Sequence, residues 1–65
     1  MTENEPLPLN TFPSKKRFVI FSRAVGIVSE HDVGEDAVKA FAKFVAITGE
    51  TGAIFRRERL GWAVH

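Results

Sequence analysis

The sequence predicts an α+β domain in which a small antiparallel sheet of three or four strands carries one amphipathic helix on one face. Two short segments rich in β-branched and aromatic residues come before a single long segment of helical periodicity, and two more come after it. The links within each pair are too short for a parallel crossover, so each pair is expected to form a hairpin. The predicted order is therefore β-β-α-β-β.

The first hairpin is predicted from residues 17–22 and 26–30, with Gly26 in the turn because glycine tolerates a positive φ. Along the first strand, Phe18 and Ile20 alternate with Val19 and Phe21, so both of its faces are apolar. One helix covers only one face of a sheet. The sequence therefore requires a second cover for the other face.

The helix is predicted over about residues 33–48, where plotting at about 100° per residue places the apolar side chains on one broad half. Asp32 is the predicted N-cap, and Glu35 completes a variant of the capping box. Gly49 is the predicted C-terminal cap.

The second hairpin is predicted from residues 53–57 and 62–65, joined by a tight loop over 58–61. The opposite phase of the first strand, with Val19 and Phe21 facing the helix, is equally compatible with the sequence. The predicted core consists of Phe18, Ile20, Val28, Ala37, Phe41, Phe44, Val45, Ile54 and Trp62.

Residues 1–14 are predicted to be a proline-rich N-terminal tail or arm, separate from a single α+β domain over residues 15–65. This segment contains all three prolines, which favour extended backbone. A flexible tail and an arm packed on the domain are both compatible with it. An arm would cover the second sheet face with its apolar residues, whereas a second copy of the chain or a foreign protein would otherwise do so. The residues of this hypothetical protein interface are Val19, Phe21, Leu7, Leu9 and Phe12.

The pattern from Val28 to Asp32, the alanine-rich helix, Thr48-Gly49 and the final strand through Arg56-Arg57 to Gly61-Trp62 resembles families of short bacterial and phage proteins of unknown function. Those families are built as hairpin, helix, hairpin. The resemblance covers about residues 17–64 and implies the same ββ-α-ββ fold. It implies no catalytic or binding residue, because those families have no established activity.

Composition excludes several classes of protein. A chain of 65 residues is too short for a (β/α)₈ barrel or a dinucleotide-binding domain. It contains no cysteine, which excludes disulfides and thiolate metal sites. No segment approaches the roughly 20 apolar residues of a membrane span, and the acidic N-terminus is unlike a secretory signal. We therefore expect a cytoplasmic protein without membrane contact.

Ser29, Glu30, His31 and Asp32 include the residue types of a hydrolase triad, but a triad needs a strained nucleophile turn and an oxyanion hole. The spacing of His31, Asp32 and His65 matches no known metal motif. We therefore expect no enzymatic activity, no cofactor, no metal and no small-molecule substrate.

The charge is unevenly distributed although the net charge is only +1. Most basic residues lie on or beside the predicted strands, whereas most acids lie on or beside the helix and in the N-terminal segment. Arginines beside Phe55 and Trp62 would bind phosphates and stack on bases, although the net charge is low for a nucleic-acid-binding domain. The residues of this hypothetical nucleic-acid site are Lys15, Lys16, Arg17, Arg23, Arg56, Arg57 and Arg59.

The doubly apolar first strand favours a non-enzymatic protein-interaction module. We expect it to bind a protein partner, with a homodimer as the first candidate, through the sheet face that the helix does not cover. Nucleic-acid binding through the basic strand residues is the alternative.

Overall fold

The sheet confirms the predicted fold class. The computed structural model describes residues 6–65 and contains one four-stranded antiparallel sheet, with a single α-helix packed on it within that range. The elements are a 3₁₀ turn (Leu9–Thr11), β1 (Phe18–Ser22), β2 (Gly26–His31), α1 (Gly34–Thr48), β3 (Ala53–Glu58) and β4 (Gly61–Val64). The strand order in the sheet is β2-β1-β3-β4.

Strand β1 lies between β2 and β3 and sets the two faces of the sheet. Ile20 lies opposite Ile54 of β3, and Val19 lies opposite Phe55. Ile20 packs with Ala37 of α1, whereas Val19 packs with Phe12 from the N-terminal segment. We call these the helix face and the arm face, and the arm is residues 7–14. The register therefore shows that Ile20 faces the helix and Val19 faces away from it, a choice that the sequence left open.

A β-bulge interrupts the alternation of β2. Ile20 pairs with Ser29 while Phe21 pairs with Ile27, so Val28 is an additional residue in β2. Ile27 packs against the arm-face cluster and Val28 against the helix-face cluster. The bulge therefore keeps apolar side chains of β2 on both faces of the sheet.

The prediction that Asp32 caps α1 is wrong. The N-cap is Val33, which has extended backbone and makes no side-chain capping hydrogen bond. Asp32 lies one residue too early for its carboxylate to cap the first turn, and it bonds Lys16 instead. The predicted C-terminal cap is confirmed, since Gly49 has a φ of 72° and its N–H donates to the Val45 carbonyl.

The core on the helix face contains fewer buried residues than the sequence predicts. Its buried residues are Ile20, Ala37 and Ile54, with Phe18, Val28, Ala40 and Phe41 packed around them. Val45 was predicted to be in this core but is 37% exposed. Eight residues separate it from Ala37, which at 100° per residue turns its side chain about 80° away.

Trp62 is buried, as predicted for a core residue, but it does not lie beneath the helix. Its register partner is Arg57, so it lies on the arm face, where it is 1% exposed and packs with Phe12 and Val19. The two-residue turn between Glu58 and Gly61 fixes this phase, because those two residues pair directly. The core is therefore divided into two clusters, one on each side of the sheet.

Gly61 allows the arm to approach the edge of β4. A Cβ atom at this position would lie 2.1 Å from the carbonyl oxygen of Leu7. We therefore expect Gly61→Ala to displace the arm and to lower the free energy of unfolding by about 1–3 kcal/mol, the usual cost of overpacking. Because Trp62 is the only tryptophan and is buried, its fluorescence emission should shift to longer wavelength.

The matched control is Leu60→Ala in the same hairpin, because Leu60 is 80% exposed and should tolerate truncation. Both variants are compared by chemical denaturation and tryptophan emission. An unchanged emission spectrum and unchanged stability in Gly61→Ala would show that the arm does not depend on this contact.

Candidate functional site

The arm begins by extending the sheet beyond β4. Leu7 forms an isolated antiparallel bridge with Trp62. The Leu7 N–H donates to the Trp62 carbonyl and the Trp62 N–H donates to the Leu7 carbonyl, each at 2.8 Å. These two bonds satisfy backbone groups at an otherwise open edge, which fixes the start of the arm.

The arm then turns over the sheet and inserts Phe12. The indole Nε1 of Trp62 donates to the carbonyl of Leu9 at 3.0 Å. The Phe12 ring centroid lies 5.6 Å from that of Phe21, 5.1 Å from Phe55 and 5.3 Å from Trp62. Such distances are typical of favourable aromatic contacts. Phe12 is therefore the apolar anchor of the arm and is only 5% exposed.

Ser14 holds the far end of the arm. Its hydroxyl donates to the carboxylate of Glu30 in β2. Its carbonyl accepts a hydrogen bond from Nη1 of Arg57 at 3.2 Å, and the Arg57 guanidinium lies 5.9 Å from the Trp62 ring centroid. The arm thus crosses the sheet face from the edge of β4 to β2.

A groove remains on the arm face beyond Phe12. It has a volume of about 300 Å³ and is open to solvent. Gly52 lets the β3 side of the groove approach β1 closely, because a Cβ there would lie 2.5 Å from the Phe21 carbonyl oxygen. We call this the Phe21–Phe55 groove, and its lining residues are Phe21, Arg23, Thr51, Gly52, Ala53 and Phe55.

The five residues of the predicted protein interface do not form one accessible surface. Val19 and Phe12 are buried against each other by the chain itself. Leu7 and Leu9 remain partly exposed at 38% and 40%, along the outer side of the arm. Only Phe21 also lines the groove, where it meets Phe55 of β3.

The predicted basic residues divide into bonded and unbonded sets. Lys16 pairs with Asp32 at 2.9 Å, and Arg56 makes a two-nitrogen contact to Glu58 at 2.8 and 3.0 Å. Arg57 bonds the arm, as described above. The other four residues of this predicted set, Lys15, Arg17, Arg23 and Arg59, are exposed and make no ion pair within residues 6–65.

Trp62 does not provide the stacking surface that the nucleic-acid hypothesis expected of it. Its ring is 1% exposed, because Phe12 and Val19 pack against it. The other aromatic residue in this hypothesis is Phe55, which is half-buried in the groove beside Arg23.

Ser29 and His31 are the only members of the Ser-Glu-His-Asp stretch that meet each other in the described range. The Ser29 hydroxyl and His31 Nε2 share a hydrogen bond at 2.9 Å, since residues two apart in a strand lie on one face. Asp32 instead bonds Lys16. The structure therefore shows a Ser–His pair whose neighbouring carboxylate has another partner.

His65 packs its ring edge-on against Phe18, with centroids 5.1 Å apart. Among residues 6–65, no group of three or more histidine or acidic side chains is placed to hold a metal ion. No helix in the same range is long and apolar enough to cross a membrane.

Comparison with known proteins returns no match among protein-family models, curated proteins or solved structures. The resemblance to short hairpin-helix-hairpin families therefore stays a prediction.

The Lys16–Asp32 pair joins the start of β1 to the segment before α1. The hydrogen bond and the charge of Asp32 raise the pKa of Lys16 above its usual value of 10.5. A raised lysine pKa in the folded state stabilises the fold below the unfolded pKa, and this contribution disappears as pH rises through the folded pKa. Lys16→Met removes this titration. We therefore expect the variant to lose slightly less stability than the unsubstituted chain as the pH rises above 10.5.

The matched control is Lys43→Met, because Lys43 is exposed on α1 and makes no ion pair within residues 6–65. Chemical denaturation at a series of alkaline pH values compares the two variants with the unsubstituted chain. Identical pH profiles for the two variants would contradict the role given to the Lys16–Asp32 pair.

Proposed function

We propose that this chain is a small non-enzymatic module that binds a protein, either a second copy of itself or a foreign partner. The proposed contact surface is the part of the arm face that the chain leaves open. The observation that supports it is the Phe21–Phe55 groove, where two half-buried phenylalanines line an open apolar recess. Recesses of this kind admit an apolar side chain from a binding partner.

The arrangement of the arm gives the groove its shape. Phe12 packs against Phe21 and Phe55 and forms the boundary between the covered and open parts of the face. Both phenylalanines are therefore held by packing before a partner arrives, which reduces the entropy lost on binding. A cytoplasmic location remains an expectation from the sequence.

Nucleic-acid binding through the basic residues is the second candidate. It is favoured by the proximity of Lys15, Lys16 and Arg17 in the chain and by the exposed Arg23 beside the groove. Ion pairing of Lys16 and Arg56 reduces the charge available for phosphates. Neutralised phosphates release counterions, so this candidate requires binding that weakens steeply with salt.

Site-specific photo-cross-linking in the cells that make this protein tests the proposal. A benzophenone amino acid replaces Thr51, which is exposed at the groove, or Lys43, which is exposed on α1. We expect a discrete protein adduct from position 51 and none from position 43, because only position 51 borders the proposed surface.

The mass and composition of the adduct distinguish a second copy from a foreign protein. Equal adducts from both positions would show non-specific contact, and the proposal would fail. An adduct that contains nucleic acid and is lost at high salt would support the second candidate instead.

A further inference from the structure

We propose that the Phe21–Phe55 groove binds an extended acidic peptide of a foreign protein, with one apolar side chain in the groove and a carboxylate at Arg23. This inference rests on the proposed function and names the chemistry of its partner. The groove volume of about 300 Å³ is at the small end of the ligand-pocket range of about 300–1,000 Å³. It therefore suits one large side chain.

The arm shows how this sheet face holds a peptide. Leu7 adds to the edge of β4, the Trp62 indole donates to the Leu9 carbonyl, and Phe12 inserts among aromatic rings. Addition of a strand to an open sheet edge and docking of an extended segment on aromatic side chains are both general modes of peptide recognition. A partner segment that enters the neighbouring groove would likewise place an apolar side chain against Phe21 and Phe55.

The charge of the groove selects the partner. Arg23 is exposed, makes no ion pair within residues 6–65, and is the only charged residue among those that line the groove. A second copy docked face to face would bring two Arg23 side chains together without a carboxylate from either groove. Charge complementarity therefore favours an acidic foreign segment over a second copy.

The groove offers a peptide one apolar contact and one cationic contact. Phe21 lies in β1 and Arg23 in the turn that follows it, and both line the groove. Side chains two apart on an extended peptide lie on one face, about 7 Å apart along the chain. A peptide with an apolar residue, any residue, and then aspartate or glutamate therefore presents both kinds of side chain to the groove.

A peptide is favoured over single-stranded nucleic acid by the environment of the rings. A stacked base needs an open ring face. Phe21 and Phe55 are both half-buried, and each packs at a tilt of 49° and 44° against Phe12. They form the walls of a recess rather than a flat stacking platform.

The test is an NMR titration of the ¹⁵N-labelled full chain with two synthetic peptides. One is acetyl-Ser-Phe-Ser-Glu-Ser-amide, and its matched analogue has glutamine in place of glutamate. We expect the backbone amides of Gly52 and Ala53 to shift. The acidic peptide should bind about two- to five-fold more tightly, which is the range for an exposed ion pair.

Substitutions separate the charged contact from the apolar one. Arg23→Gln should abolish the preference for the acidic peptide. Arg59→Gln should preserve it, because Arg59 is also exposed but lies at the turn between β3 and β4. Ala53→Leu, which adds bulk to the wall of the groove, should weaken both peptides without removing a core side chain.

Several results would overturn the inference. Equal affinity for the two peptides, with loss of both in Ala53→Leu, would remove the acidic preference and leave the proposed function intact. No shift at the groove with either peptide would reject the peptide, and the cross-linking from position 51 decides separately whether a protein binds there. A concentration-dependent doubling of mass through the groove would identify a second copy. Salt-sensitive shifts with decathymidylate would identify nucleic acid.

Discussion

The insertion of Phe12 among Phe21, Phe55 and Trp62 is the interaction on which the rest of this structure depends. Strand β1 is apolar on both faces, and α1 covers only one of them. Full burial of a phenylalanine contributes about 1.5–3 kcal/mol, and each well-placed aromatic pair adds about 0.5–1.5 kcal/mol. A domain this small has a net stability of only a few kcal/mol. The arm is therefore part of the folded domain, and without it Val19 and Trp62 would face water.

The arm also explains why so short a chain forms two core clusters. Chains of this size commonly need a disulfide, a metal or a partner to compensate for a small core. Here the proline-containing arm supplies a second layer over the sheet, and its two prolines limit the backbone entropy lost when it docks. Backbone bonds to β4 and the Trp62 indole bond to Leu9 fix its register, so that Phe12 is placed over Val19.

Local signals in the sequence were sufficient for the elements and their order, but not for every face. The hairpins and the end of α1 could be predicted because their signals are local. These signals are the β-branched segments, the helical periodicity and the cap residue Gly49, and each spans only a few residues. The side of the sheet that Trp62 occupies depends on the length of the turn before it, where one residue reverses the phase. The bulge at Val28 and the pairing of Asp32 with Lys16 depend on contacts between separate strands.

The groove could not be predicted either, because it also depends on contacts between separate strands. By residue type alone, Phe21 fits a protein interface and Arg23 fits a nucleic-acid surface. The pairing of β1 with β3 places Phe21 opposite Ala53 and brings Thr51 and Phe55 to the same recess as Arg23. One site then contains both an apolar wall and a cation. A partner that satisfies both must carry an apolar side chain and an anion close together, which neither hypothesis required alone.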